Sequence, residues 1–265
     1  MNLGKIISNS FKYPFRNIKK LPILLMLFIL VALVPIGMVS DNKYVLILGI
    51  ISFFLFILIV PGYLLSIVSI GLNESSMFPS ISFGKNIYDT FRLLLLRIVY
   101  MIVPTAVFLV VWFTLGASGI EMLHAYNVPG FLLMIILILL TVLIVYILFE
   151  ILLFFAKARL AYFNSLSEAL KVREVIGDIK NIGVVNIFKW LITMVILMIV
   201  VSFVSSWVMA IPYVGFIVYL GIVIPILESI GNYSLGLLYS NIAKKEDDLD
   251  RFERELDYIK YKGIN

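Results

Sequence analysis

The chain has 265 residues, of which 62% are hydrophobic and 14% are charged, with a net charge of +5 and no cysteine. Soluble domains are about half apolar and about a quarter charged, so this composition excludes an ordinary soluble domain and indicates an integral membrane protein. The lack of thiols excludes disulfides, thiol catalysis and zinc–thiolate sites.

Six long apolar runs predict six transmembrane helices. Each run reaches the ~17–25 residues that cross a bilayer, and the runs are continuous rather than alternating, which disfavours a membrane β-barrel. Lipid offers no partner to the backbone, so each span must form its own hydrogen bonds as a helix. We predict one membrane domain over residues 1–240, with spans at residues 21–39, 44–72, 98–115, 129–155, 190–211 and 213–239.

A basic amphipathic stretch precedes the first span. Ile6 and Phe11 belong to an apolar stripe at helical spacing, while Lys5 and Lys12 fall off it. Pro14 predicts that this helix is short or broken. The arm and the first span also resemble a signal peptide, but the apolar run is long and ends in a poor cleavage site. An uncleaved span is therefore the favoured interpretation.

Two further connections have the same amphipathic character. The stretch before the third span has its apolar stripe at Phe83, Ile87, Phe91, Leu94 and Ile98. Residues 165–168 have the spacing of a capping box. The stripe that follows them consists of Ala169, Val172, Ile176 and Ile179, facing away from Lys171, Glu174 and Asp178. We therefore predict an all-α protein of three transmembrane hairpins, each preceded by an interfacial amphipathic helix.

The basic residues predict the orientation of the spans. All but Lys43 of the 21 lysines and arginines fall in the N-terminal arm, the second and fourth connections, or the tail. Because positive residues stay inside, we expect a multi-pass protein of the cell membrane with both termini in the cytoplasm. The same charges fit anionic lipid headgroups at the cytoplasmic face better than they fit nucleic acid.

The tail, residues 241–265, is rich in charges of both signs. Four apolar residues recur along it at spacings of three and four, which predicts a short amphipathic helix. Docking onto the protein's own cytoplasmic face or the membrane is the simpler interpretation, and a partner or self-association is the alternative. The four residues are Leu249, Phe252, Leu256 and Ile259.

Two carboxylates fall within predicted spans, where an ionised group is costly. If the third and fourth spans form a hairpin about residues 123–124, Glu150 faces Arg97, and we predict an ion pair between them. Glu228 lies near the middle of the sixth span with no cation opposite it on the fifth. It shares one helical seam with Asn232 and Tyr239, which is either a polar contact between helices or a site for a transported proton or cation.

The remaining chemistry is sparse. His124 is the only histidine, and it lies in an expected outer connection beside Glu121. We find no phosphate-binding loop, no nucleophile–base arrangement and no cluster of metal ligands. The sequence therefore predicts no catalytic residues, no metal and no cofactor.

The middle of the chain resembles a family of archaeal multi-span proteins, domain of unknown function 4013. The resemblance lies in PGYLLSIVSIGLNESSMFPSISFGKNIYDTFRLLLLRIVYMIVP, through Gly62-Tyr63, Phe78-Pro79, Asp89, Tyr100 and Pro104. The closing stretch is similar to the family through Ile211, Pro212, Gly215, Gly236 and Tyr239. This chain has Ser66 where the family often has a basic residue shortly after Gly-Tyr.

The resemblance implies a cell-membrane protein of unassigned function, distantly like the membrane anchors of some phosphodiesterases, and supplies no catalytic residues. Two function hypotheses follow. The first is a non-enzymatic membrane scaffold or lipid-interacting protein. The alternative is a small transporter or channel that uses the seam of Glu228 and Asn232. A membrane-embedded enzyme is the least favoured, because the spans hold only two carboxylates, on different helices.

Overall fold

The computed structural model describes residues 2–16, 20–125 and 128–241, and their regular secondary structure is helical, with no strand among them. The predicted all-α class is therefore confirmed. The helices are α1 (Leu3–Arg16), α2 (Leu21–Val39), α3 (Lys43–Leu72), α4 (Phe83–His124), α5 (Val128–Phe163), α6 (Leu166–Ala169), α7 (Val172–Ile182), α8 (Val184–Met209) and α9 (Val214–Asn241). The predicted tail seam at Leu249, Phe252, Leu256 and Ile259 lies outside the described residues and stays a prediction.

Six of these helices, α2, α3, α4, α5, α8 and α9, are long and apolar enough to cross a membrane. The first predicted span has the bounds of α2. The third does not, because α4 begins at Phe83, so the predicted amphipathic stretch and the span form one helix. No proline or glycine lies between residues 85 and 98 to end it. The helix also runs through most of the expected outer connection, and His124 is its last residue.

The N-terminal helix α1 is not broken at Pro14 and ends two residues later. A proline so near the C-terminus of a helix removes one backbone hydrogen bond and leaves the earlier turns intact. The ring of Tyr13 is fully buried, stacked 4.7 Å from Phe78 and 4.0 Å from Tyr233. Burial raises the pKa of Tyr13, so its hydroxyl stays protonated at neutral pH. The apolar stripe of the sequence did not include this anchor.

The predicted capping box does not form. Ser165 makes no capping hydrogen bond, its hydroxyl lies 2.9 Å from that of Ser167, and the Glu168 carboxylate accepts from Lys171 instead. The chain breaks after Ala169 and restarts as α7, so the helical phase of the predicted stripe is lost.

Asp178, predicted on the polar side of α7, is buried together with Val175, whereas Val172 and Ile176 of the predicted apolar stripe are exposed.

Buried side chains concentrate where the C-terminal half of α3, the end of α5 and the C-terminal half of α9 meet α1, α6 and α7. We call this region the capped end of the protein. Helices α3 and α9 cross there at two glycines: a Cβ on Gly71 would lie 2.5 Å from the carbonyl oxygen of Tyr233, and one on Gly236 would lie 2.9 Å from the Gly71 Cα. The indole of Trp190 on α8 donates to Ser234 of α9 at 3.2 Å.

Candidate functional site

A buried ion pair lies at the centre of the capped end. Arg159, near the C-terminus of α5, and Asp178, in α7, are 5% and 4% exposed, and Arg159 Nη1 lies 2.9 Å from Asp178 Oδ2. The hydroxyl of Tyr239 on α9 donates to the same oxygen at 2.6 Å. One carboxylate thus joins three helices.

The other donors of Arg159 bind the short helix α6. Its Nε donates to the carbonyl oxygen of Glu168 at 3.1 Å, and Nη2 lies 3.4 Å from the Glu168 carboxylate. The guanidinium also lies 4.6 Å from the centre of the Phe163 ring. The hydroxyl of Tyr100 on α4 donates to the carbonyl oxygen of Ala169 at 3.0 Å. We call Arg159, Glu168, Asp178 and Tyr239 the cap cluster, and it holds α5, α6, α7 and α9 together.

A second cation, Lys171, contacts the cap cluster from the protein surface. Lys171 Nζ lies 2.6 Å from Glu168 Oε1, and this hydrogen bond is the main reason that the pKa of Glu168 is lowered. Glu168 is therefore a carboxylate at neutral pH and can accept from both Lys171 and Arg159.

A second polar network runs between α5 and α9. The side-chain nitrogen of Asn232 donates to Glu228 Oε2 at 3.1 Å, and its side-chain oxygen accepts a hydrogen bond from Lys157. The prediction compared Glu228 only with the fifth span, where it found no cation, whereas the structure links Glu228 through Asn232 to a cation on another helix. Lys157 comes from α5, two residues beyond the predicted end of the fourth span. Tyr239 shares the helix but not the network, since its hydroxyl binds Asp178.

The third network joins α4 and α5. Arg97 Nη2 lies 3.0 Å from Glu150 Oε1, and the hydroxyl of Tyr146 donates to the same oxygen at 2.6 Å. The side chain of Arg97 is 59% exposed and that of Glu150 is 26% exposed. The pair therefore lies at the side of the bundle and differs from the buried cap cluster.

Two cavities meet at Arg97, each of about 350 Å³. One lies between α3, α4 and α5, extends toward the capped end and includes Arg97, Glu150 and Lys157 in its wall. The other extends the opposite way along α4 and α5, and its wall is mostly apolar. It is lined by Arg97, Met101, Pro104, Thr105, Phe108, Val142 and Tyr146.

The segment from Gly62 to Pro79 packs tightly on α4. The Gly62 amide donates to the hydroxyl of Thr90 at 2.9 Å, and a Cβ at Gly62 would overlap the carbonyl oxygen of Asn86. The hydroxyl of Tyr63 donates to the carbonyl oxygen of Pro79 at 3.2 Å. Only glycine permits this approach of α3 to α4.

Farther along α4, Arg92 is buried and lies 3.0 Å from Asp89. It also donates to the side chain of Asn164, just after α5, at 2.8 Å. Together with the hydrogen bond of Tyr100 to Ala169, these contacts fasten α4 to the end of α5 and to α6.

The model of a family described as "Protein of unknown function (DUF4013)" matches residues 45–211. The chain belongs to this family. Comparison with curated proteins and with solved structures found no match. The matched residues include the whole of α3 to α8 apart from the first two residues of α3. They leave out Gly215, Gly236 and Tyr239, through which the closing stretch resembles the DUF4013 family.

The family resemblance falls on two residues that bind other helices, Gly62 and Tyr100. Tyr63 binds the loop before α4, and Asp89 pairs with Arg92 within α4. At the departing position, Ser66 is buried and its hydroxyl donates to the carbonyl oxygen of Gly62 at 3.3 Å. In this DUF4013 protein the residue at this position is uncharged and makes its hydrogen bond within its own helix.

Sequence reasoning missed Lys157, Arg159 and Asp178. Lys157 and Arg159 were assigned to a connection, although their side chains point into the protein from the last two turns of α5. Their spacing of two residues places them on different faces of the helix, and this is why they join different networks. Asp178 lies in a short helix that has charged residues on several sides, so the sequence did not indicate that it is buried.

Proposed function

We propose that this DUF4013 protein is a multi-pass protein of the cell membrane with both termini in the cytoplasm, and that it is a lipid-binding scaffold without enzymatic activity. In this proposal α2–α3, α4–α5 and α8–α9 form three hairpins and α1 and α7 are interfacial helices, while the amphipathic start of α4 continues directly into its span. The observation that carries it is that α1 and α7 each have an exposed apolar face in addition to the face that packs on the protein.

Helix α1 packs on the bundle through Ile6 and Tyr13, while Phe11 and Phe15 point elsewhere and are 38% and 57% exposed. Lys12 follows Phe11 at about 100° around the helix. An exposed aromatic face beside a basic face is the arrangement of a helix that lies in the headgroup plane.

Helix α7 has the same three-sided pattern. Val175 and Asp178 are buried, Val172 and Ile176 are exposed, and Arg173 is exposed on the side next to them. The cap cluster fixes this helix to α5 and α9, so its outer apolar face has a constant position relative to the spans. A fixed lipid-facing platform suits a scaffold better than a moving element.

The ionisable groups within the spans support a non-enzymatic role. Glu150 accepts from both Arg97 and Tyr146, and Glu228 accepts from Asn232. Each carboxylate is engaged in contacts between or within helices, which is a structural use of its lone pairs.

The proposal is tested by the depth of α1. Because the chain has no cysteine, Phe11→Cys and Lys12→Cys each provide a single labelling site, and the two sites face different sides of one helix. The full-length variants are labelled with an environment-sensitive fluorophore and reconstituted in vesicles with acyl-brominated lipid. We expect the label at position 11 to be quenched severalfold more strongly than the label at position 12. Equal, weak quenching at both positions in folded protein would contradict an interfacial α1.

A second function, transport of a proton or cation, is favoured by one observation: Lys157, Asn232 and Glu228 form a continuous polar chain between two spans. Transport requires that water reach this chain. The scaffold proposal expects Glu228→Cys to be protected from a membrane-impermeant thiol reagent added to either side.

Labelling of Glu228→Cys from one side would favour the transporter. Ser40→Cys is the matched accessible control, because Ser40 is exposed and lies in the predicted connection between the first two spans. Its labelling proves that the reagent is active against the folded protein, so protection at position 228 can be interpreted.

A further inference from the structure

Arg97 has an unusual position for a cation in a helix that is long and apolar enough to cross a membrane. More than half of its side chain is exposed, although residues on both sides of it, Leu94, Ile98 and Val99, are apolar and exposed as well. Within the described residues, only its Nη2 donates a hydrogen bond, to Glu150. The guanidinium has five N–H donors, so most of them remain available to a ligand.

The surroundings of Arg97 provide space on both sides. Toward the capped end lies the first cavity, whose wall includes Ile57 and Leu58 of α3 and Lys157 of α5. In the opposite direction the second cavity continues between α4 and α5 past Met101 and Phe108. The two cavities share Arg97 and form one open seam along the side of the bundle.

The length of this seam matches a lipid. The lining residues of α4 extend from Thr90 to Phe108, a separation of 18 residues, or roughly 27 Å at 1.5 Å per residue. This distance holds one acyl chain, which takes up half of the ~30 Å hydrocarbon core, together with a headgroup.

The expected depth of Arg97 in the membrane also fits a lipid phosphate. The sequence predicts that the third span begins at residue 98 and the fourth ends at residue 155, so Arg97 and Lys157 lie at the inner boundary of the hydrocarbon. Lipid phosphates lie at this level. Arginine binds phosphate oxygens bidentately, and lysine binds them as a point charge.

We propose that the seam between α4 and α5 is a binding site for one anionic phospholipid, whose phosphate contacts Arg97 and whose acyl chain follows the second cavity past Met101 and Phe108. The headgroup turns into the first cavity toward Lys157. This inference deepens the proposed lipid-binding function and rests on it. The seam wall carries two cations and one carboxylate, so its charge complements an acidic headgroup.

The test isolates Arg97 without leaving a carboxylate unpaired. Glu150→Gln removes the counter-charge and keeps an acceptor for Tyr146 and Arg97, whereas the double variant Arg97→Gln/Glu150→Gln differs from it only at Arg97. Full-length protein in detergent is titrated with phosphatidylglycerol and with phosphatidylcholine, and bound lipid is counted by native mass spectrometry.

We expect Glu150→Gln to bind phosphatidylglycerol at least as tightly as the wild type, because Arg97 is released from its partner. We expect the double variant to bind it about tenfold more weakly, since a hydrogen bond to a charged group contributes enough to change affinity by that factor. Phosphatidylcholine should bind more weakly than phosphatidylglycerol to the wild type.

The first cavity, which takes the headgroup, has its own matched pair of variants. Leu94 lines the first cavity and Leu95 lines neither of the two, yet they are 50% and 51% exposed on the same helix. Leu94→Trp fills the seam beside Arg97 and should weaken phosphatidylglycerol binding, while Leu95→Trp should leave it unchanged.

Equal affinity of the Glu150→Gln and double variants for phosphatidylglycerol would overturn the site. If the label at position 11 is still quenched by brominated lipid, the proposed function stands and only the seam is wrong. If that label is not quenched but the double variant loses lipid, the interfacial placement of α1 is wrong and the seam stands.

Discussion

Arg159→Leu is expected to lower the free energy of unfolding by about 3–5 kcal/mol, the usual cost of removing one partner from a buried ion pair. Asp178 would keep its hydrogen bond from Tyr239 but lose its cation in a position that is 4% exposed. The contacts of Arg159 to Glu168 would be lost as well. Equilibrium unfolding in mixed detergent micelles measures the change.

Two controls separate the buried charge from the lost packing. In Arg159→Leu/Asp178→Leu both charges are gone, and we expect most of the stability to return because no ionised group is left without a partner. Lys171→Leu breaks an ion pair whose lysine is 53% exposed, and it should cost less than about 1 kcal/mol. A loss from Arg159→Leu no greater than that from Lys171→Leu would show that the cap cluster does not hold the helices together.

The six long apolar helices could be predicted because hydropathy acts over a whole segment. The first span was predicted with the bounds of α2, and each of the others falls within one helix or runs only one or two residues past it. Positions that interrupt a helix were harder, because single residues decide them. Pro14 does not end α1, whereas the break after Ala169 has no proline or glycine to mark it.

The polar contacts between helices were harder to predict, because the sequence of one helix does not specify which other helix packs against it. Arg97 and Glu150 could be paired from the sequence because two adjacent spans of similar length fix which residues face each other. Asp178 and Tyr239 are 61 positions apart, on helices that are not consecutive. Their meeting depends on how α7 folds back over the ends of α5 and α9, which no periodicity in the sequence specifies.

The crossing of α3 and α9 was also hidden. Gly236 lies in the sixth predicted span, but its partner Gly71 lies in the second, which had no expected contact with the sixth. Small residues permit a close approach between helices, but they do not indicate which helix is the partner. The glycine pair therefore became meaningful only when both helices were in place.

Gly236→Ala is expected to lower the free energy of unfolding by about 3 kcal/mol, the upper end of the usual cost of overpacking. The added Cβ would overlap the carbonyl oxygen of Val68 and lie 2.9 Å from the Cα of Gly71. These are backbone atoms, so no change of side-chain rotamer relieves the contact and the two helices must move apart.

Gly231→Ala is the matched control. Gly231 lies on the same helix, and a Cβ added there would have no neighbouring atom within 4 Å. It should be neutral or stabilising by up to about 1 kcal/mol, because alanine favours a helix more than glycine does. A movement of α9 at residue 236 also displaces Tyr239, one turn later, from Asp178. Gly236→Ala and Arg159→Leu should therefore be non-additive, with the double variant losing less than the two single losses combined. Strict additivity would mean that the glycine crossing and the cap cluster stabilise the capped end independently.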